Sequence, residues 1–420
     1  MPLNRPAHSS FRWVIVALLF AASAINYLDR QMIGLLKPTL QGELNWTEID
    51  YGDIVFWFQA AYAVGYLSSG RLIDRIGARL GLVVSMGIWT LAHMAHALAR
   101  SAFGFSVARA ALGFGEAGAF PGALKAVAEW LPQRERALAV GLFNAGTNIG
   151  AIITPLLVPI VTLAFGWRAA FVLTGAFGIA WMLVWHFVYR KPREQWRVSA
   201  AELELIESDR QNPTTPIPWS HLFKRKEVCA YGIAKFLTDP VWWVFLFWLP
   251  DFLTKTQGLN LKTFGIPLAA IYIASDVGAV AGGWVSSRLM RMGFSVNVSR
   301  KATMLAFALM ALPVVFATKV THLSSAVLIL SLATAAHQGF ASNLFTLPSD
   351  LFPKSVVGSV VGIGGAAGAV GGMLMARFAG WTLQTVGSYT PIFLTCAAMY
   401  LLALALIHVL CPRYRMVDAV

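Results

Sequence analysis

"VIVALLFAASAINYLDRQMIG", Val14 to Gly34, is apolar from end to end except near its last third, where Asp29 and Arg30 stand side by side. A helix needs about 20 apolar residues to cross the hydrocarbon core of a bilayer, and this stretch supplies them. An ionisable side chain near the bilayer centre costs about 2.5–3.5 kcal/mol on insertion scales. The two charges must therefore face a partner or a cavity. Neighbours on a helix point about 100° apart, so they need not face the same one.

The rest of the chain repeats the pattern. Of 420 residues, 57% are hydrophobic and 13% charged, against about 25% charged in a soluble protein. Twelve apolar spans can be drawn, near 13–36, 50–70, 80–98, 102–128, 136–162, 168–190, 228–252, 265–287, 301–319, 323–348, 356–380 and 388–411. An all-α, multi-pass membrane protein follows. The first run lacks a small-residue cleavage site and is expected to stay as the first span. Cys229, Cys396 and Cys411 are odd in number and lie in or beside apolar runs, so they read as core residues, not a disulfide or metal set.

The formal net charge of +13 would suggest nucleic acid in a soluble protein. No soluble domain exists here to carry a basic face, so no nucleic-acid partner is expected and the lipid bilayer is the surroundings. Topology explains the charge instead. Loops on the N-terminal side hold 22 Lys and Arg, the opposite loops and helix ends seven, and four lie within spans. The positive-inside rule then places both termini and the central loop in the cytoplasm, with the chain in the cytoplasmic (inner) membrane.

The longest polar gap divides the spans six and six: a bundle over 1–190, a linker over 191–226 and a second bundle over 227–420. Ser199 with Glu202 predicts a capping box at the start of a short surface helix in the linker, and "QNPTTPIP" predicts flexibility. The halves echo each other. "EWLPQRERALAVGL" from Glu129 and "DLFPKSVVGSVVGI" from Asp350 share an acid, a proline and a glycine at one spacing, and "NYLD" recurs loosely as "FLTD". Internal duplication is a transporter signature, with the site between the repeats near the midplane.

"GRLIDRIGAR" between spans 2 and 3 puts Gly70, Asp74, Arg75, Gly77 and Arg79 in a tight turn. Its acid can pair with a basic residue of a neighbouring helix and latch one conformation. This loop, with "NYLDR", "WFQAAYAVGY", "ARAALGFGEAGAFPGALKAVAEW", "NAGTNIGA", "KFLTDPVWW" and "AAHQGFASNLFTLPSDLFP", resembles the major facilitator superfamily. Within it the chain is most similar to the anion:cation symporters, in particular bacterial hexuronate (glucuronate and galacturonate) transporters. The resemblance covers roughly residues 13 to 380. It implies twelve transmembrane helices in two pseudo-symmetric six-helix halves and proton-coupled import of a sugar-acid anion by alternating access, with no cofactor or metal. A monomer is expected. Relatives carrying aldonates, aldarates or aromatic acids are the alternative, with a non-transporting sensor as a further one. A membrane enzyme would need a clustered nucleophile, metal set or cofactor motif, and none is found.

The candidate residues follow from charge, spacing and this resemblance. Arg30 suits a carboxylate because its fork donates two parallel bonds. Asp29 and Glu116 are the proton-coupling candidates, and Arg109, two turns from Glu116, is read as its tuning partner. In the expected cycle, deprotonated Asp29 competes for Arg30 and helps expel the substrate. Tyr27, Tyr62, Asn144 and Asn148 are candidate ligands for hydroxyls. In the second half, Lys235 is a candidate ligand, spaced to pair with Asp239. Gln338, Asn343 and His337 complete the set, His337 standing where Glu116 stands by the repeat offset of 221. Trp242 and Trp243 are candidates to close over a sugar face. Glycines 358, 362, 364, 365, 368, 371 and 372 predict close packing of span 11.

Overall fold

The computed structural model describes residues 9–208, 222, 224–352 and 354–414, and every regular element among them is helical. That is the solution a bilayer demands, because a helix satisfies its own backbone donors and acceptors where water is absent. The first helix, α1 (Arg12–Leu44), runs 33 residues. At about 1.5 Å per residue it is about 50 Å long, so its ends reach beyond a hydrocarbon core of about 30 Å.

Two helices are too long to be single spans. α2 (Glu48–Ala95) has 48 residues and, further on, α5 (Gln133–Val188) has 56. Each contains one glycine in the positive-φ region, Gly77 at 84° and Gly166 at 83°, where a side chain would be strained. The chain folds back at both. Ser69 and Ser85, on either side of Gly77, both lie against Gly118. Gly146 packs on Phe20, and Trp181 donates to the Leu18 carbonyl at 2.7 Å, although Gly166 lies between them. Spans 2 and 3, and 5 and 6, are thus separate crossings joined by one glycine each.

Between them, α3 (Ala102–Glu116) and α4 (Ala119–Trp130) cover the fourth span. After the short α6 (Ala200–Glu207) come α7 (Lys226–Phe247) and α8 (Leu249–Gln257), which form the seventh and meet at a 53° bend. α9 (Gly265–Arg291) is the eighth. The ninth is α10 (Val296–Ala311) with a 3-10 turn over Leu312–Lys319, and the tenth is α11 (Leu323–Leu344) with α12 (Leu347–Leu351). α13 (Lys354–Thr385) and α14 (Thr390–Leu410) complete the chain. Spans 4, 7, 9 and 10 are broken within the membrane. Pro121, Pro250, Pro313 and Pro348 stand at the breaks, each removing a backbone donor and crowding the preceding turn.

α2 packs along α3 and α1 along α5, while α9 packs along α11 and α13 along α7. Between these two groups, α2 meets α13, α5 meets α9, and α1 meets α7 and α8. Small residues let the backbones close up, as predicted for span 11. Gly364, Gly368 and Gly371 lie against Tyr231, Asp239 and Phe236 of α7, and Gly365 faces Tyr66 of α2.

The linker helix behaves differently from its motif. Ser199 accepts from the Glu202 N–H at 3.1 Å, as a cap should. The Glu202 carboxylate, however, does not return to Ser199. It accepts from the Phe11 and Arg12 N–H groups, at 3.0 Å each, and from the Ser9 hydroxyl, and it pairs with the Arg12 guanidinium at 3.1 Å. It therefore caps α1 from the linker, and the Ser199 N–H turns to Ser9 Oγ at 2.6 Å. The "QNPTTPIP" segment lies outside the described residues.

Burial alone would raise the Glu202 carboxyl, but the Arg12 N–H, the Ser9 hydroxyl and the Phe11 N–H outweigh it and hold it below the usual glutamate range. A depressed value contributes stability that is present above the unfolded-state pKa and is lost as pH falls through the folded one. Glu202→Gln is expected to destabilise the detergent-solubilised protein by about 1 kcal/mol at pH 7. In thermal melts that deficit should close as pH falls below about 4. A deficit that is constant across this range would contradict the capping role.

Candidate substrate cavity

A cavity of about 420 Å³ opens between the two groups of helices, within the range of about 300–1,000 Å³ usual for small-molecule sites. α1, α2, α3 and α5 contribute Tyr27, Arg30, Tyr62, Tyr66, Glu116, Asn144, Thr147 and Asn148 to its wall. α7 and α11 contribute Tyr231, Lys235, Asp239, Trp242, Trp243, His337 and Gln338. The sequence candidates Tyr27, Tyr62, Asn144, Asn148, Lys235, His337 and Gln338 thus converge on one space from helices far apart in the chain.

Arg30 is the strongest cation in it. Its guanidinium carbon lies 5.0 Å from the ring centres of both Tyr27 and Tyr62, 5.1 Å from Trp243 and 5.5 Å from Phe58. Four aromatic rings surround it, and each contributes an attraction of about 0.5–2 kcal/mol. Nε and Nη2 both reach one oxygen of Glu116, at 2.7 Å each. The other, Glu116 Oε1, is buried with no hydrogen-bond partner. Arg30 and Glu116 are only 4% and 1% exposed, and burial strengthens their electrostatic attraction.

The role assigned to Asp29 requires correction. Asp29 is absent from the cavity wall and makes no ion pair with span 4. It is fully buried against α2, with Oδ1 3.2 Å from His93 Nε2. The roughly 100° between adjacent helical positions sends Arg30 to the cavity and Asp29 behind it. Glu116, not Asp29, is the carboxylate that competes for Arg30. Arg109 makes no ion pair with Glu116, but its charge acts on that carboxyl through space. Its Nη2 donates to the Arg30 carbonyl at 3.1 Å, and its guanidinium lies 4.4 Å from the Phe58 ring centre. It braces the backbone that carries Arg30.

Across the cavity, Lys235 pairs with Asp239 at 2.7 Å, the i, i+4 spacing bringing both to one helix face. His337 binds the Tyr400 hydroxyl through Nδ1 at 2.9 Å and stacks on Trp242 with ring centres 5.4 Å apart. Asn343 is a second correction. Its amide donates to the Gly282 and Gly339 carbonyls at 3.1 and 3.0 Å and lies outside the cavity wall. The amide is used to tie α11 to α9. Trp243 closes over Arg30, whereas Trp242 packs on His337.

The two helix groups are fastened at the end of the cavity away from Arg12. Lys37 pairs with Glu48 at 2.7 Å and Asp251 at 2.8 Å, and Lys255 pairs with Asp251 at 3.0 Å and also bonds Glu48. The Tyr51 hydroxyl donates to the Phe247 carbonyl at 2.8 Å, and the Gly34 position meets the Phe247 backbone so closely that a side chain would clash. At the opposite end, Asp74 of the predicted latch pairs with Lys125 of α4 at 3.1 Å, and Arg79 donates to the His186 carbonyl at 2.5 Å. Asp74 and Arg75 are exposed. The acid pairs within its own group of helices, and an exposed pair of this kind contributes about 0–1 kcal/mol. Gly77 forms the fold-back itself, and Gly70 lies in open space nearby.

Sequence reasoning passed over His93, His96 and the Lys37–Asp251 network. The signal was available: "HMAH" places two ionisable rings three residues apart inside an apolar span.

The profile of the Major Facilitator Superfamily matches residues 19–374. The chain is 31% identical over 397 residues to a hexuronate transporter of Escherichia coli (strain K12), covering 93% of this chain and 92% of that protein. It is 29% identical over 424 residues to a D-galactonate transporter of Escherichia coli O6:H1, covering 98% and 96%. A bacterial homologue of the human lysosomal transporter Spinster, in an inward-facing and occupied conformation, superposes with a TM-score of 0.74 at 16% identity, over 97% of both chains.

Proposed function

Since this chain belongs to the major facilitator superfamily, we propose that it imports a sugar-acid anion, a hexuronate such as glucuronate or galacturonate, together with protons. The observation that carries this reading is Arg30 held by Glu116 at 2.7 Å inside an aromatic cavity with amides on its wall. A buried guanidinium recognises a carboxylate. Asn144, Asn148 and Gln338 offer donors and acceptors to ring hydroxyls. The hexuronate and D-galactonate transporters among its relatives point to the same substrate class.

The units that move are the bundles 1–190 and 227–420. On the strength of the Lys and Arg bias both termini lie in the cytoplasm, and the chain works as a monomer in the cytoplasmic membrane by analogy with its superfamily. The Lys37–Asp251 fastening is then the closed outer gate. With the gate open and Glu116 protonated, Arg30 is released to take the substrate carboxylate. The halves rock and the outer gate closes. Glu116 loses its proton inward, recovers Arg30 and displaces the substrate. Asp29 carries a second proton behind the cavity, and Arg109 keeps Arg30 in register.

Competition for uptake of labelled glucuronate into proteoliposomes tests the substrate class. Galacturonate should compete as well as unlabelled glucuronate, an aldonate or aldarate at least tenfold less, and an uncharged hexose not at all. A panel led by galactonate would reassign the transporter to aldonates, and binding without uptake would make it a sensor.

A further inference from the structure

The coupling acid Asp29 is fully buried, and neither carboxylate oxygen has a hydrogen bond. An ionised carboxylate cannot be left so in a dry interior, so it must recruit a donor whenever it loses its proton. Two donors are at hand, the otherwise unpaired Trp89 indole and His93 of α2, whose Nε2 stands 3.2 Å from Asp29 Oδ1. The same nitrogen lies 2.8 Å from the Thr174 hydroxyl oxygen. That hydroxyl donates to the Ala170 carbonyl at 2.8 Å. It therefore accepts from His93, which places the imidazole hydrogen on Nε2. Nδ1 has no hydrogen-bond partner. One N–H thus has two acceptors within reach, a carboxylate and a hydroxyl.

We infer that His93 is the positioning residue of the Asp29 proton site, its Nε2–H swinging between Thr174 when Asp29 is protonated and Asp29 when it is ionised. The inference rests on the proton-coupled reading above. No net proton moves through the imidazole: it stays neutral, the proton joins and leaves the Asp29 oxygen, and only the hydrogen bond changes hands. A donor to the charged form favours that form. His93 therefore lets Asp29 release its proton in a site that would otherwise hold it. The other charged or titratable groups acting on the pair are Glu116 and Arg109 from α3 and His96 in the turn that caps α2. These are unchanged by the variants below.

Two substitutions should act in opposite directions. His93→Phe removes the donor, so Asp29 keeps its proton to higher pH and the midpoint of gradient-driven uptake should move up by about one unit, a tenfold change in proton affinity. His93→Gln restores an N–H and should return the midpoint toward wild type. Thr174→Val removes the competing acceptor, leaves the N–H to Asp29, and should move the midpoint down. In an Asp29→Asn background neither His93→Phe nor Thr174→Val should move it further. A purely structural histidine would give midpoints unmoved, or moved the same way by both changes, and either result overturns the inference. Thr174→Val alone decides the matter if His93→Phe fails to fold. Wild-type uptake indifferent to pH would overturn the coupling reading and this inference with it. Wild-type dependence with unmoved variants overturns this inference alone.

Discussion

An Arg30→Lys transporter is expected to bind its substrate roughly 10- to 150-fold more weakly at every pH from 5 to 8, with the fold intact. The range is the loss of one charge-assisted hydrogen bond, about 1.5–3 kcal/mol, converted to affinity. Lysine keeps a positive charge but cannot present two parallel donors to a carboxylate. It can still neutralise Glu116, which sits 2.7 Å from the guanidinium. Arg30→Ala should weaken binding further and also cost the protein about 3–5 kcal/mol of stability, because Glu116 would be a buried charge without its partner. Binding measured by tryptophan fluorescence is a suitable readout, since the Trp243 ring centre lies 5.1 Å from the guanidinium carbon. Full affinity in Arg30→Lys would remove Arg30 from the substrate site.

The second large effect concerns the carboxyls. Glu116→Gln permanently mimics the protonated acid and frees Arg30, so substrate should bind well and exchange across the membrane. Net accumulation against a gradient should fall by tenfold or more, because nothing remains to reclaim Arg30 on the inner side. Counterflow of labelled against unlabelled substrate separates the two processes. Loss of counterflow and accumulation alike would mean that Glu116 is a structural ion-pair partner.

Much of this was legible in the residues. The twelve apolar intervals and the glycine packing of α13 followed from composition and periodicity, and about half of the cavity wall from isolated polar groups in spans together with the family resemblance. The sequence could show that Asp29 and Arg30 diverge, but the choice of partner belongs to tertiary structure. Glu116 is 86 residues from Arg30, and His93 is 64 from Asp29. Local spacing put Arg109 on one face with Glu116, and its charge acts there, but the ion pair itself is made by Arg30 from another helix. Asn343 was misread for a related reason: an amide in a span can face a cavity or a neighbouring backbone, and Gly282 on α9 leaves a carbonyl open to it. The fold-backs at Gly77 and Gly166 were marked by glycines, yet many other glycines serve packing instead.

The central claim is that a proton gradient drives the anion inward through the buried acids Asp29 and Glu116. The direct measurement is accumulation of labelled glucuronate in proteoliposomes under an imposed inward proton gradient, with wild type and an Asp29→Asn, Glu116→Gln double variant side by side. Wild type should accumulate the anion above its outside concentration and lose it when the gradient is collapsed, while the double variant should only equilibrate. Full gradient-driven accumulation by the double variant would contradict the account.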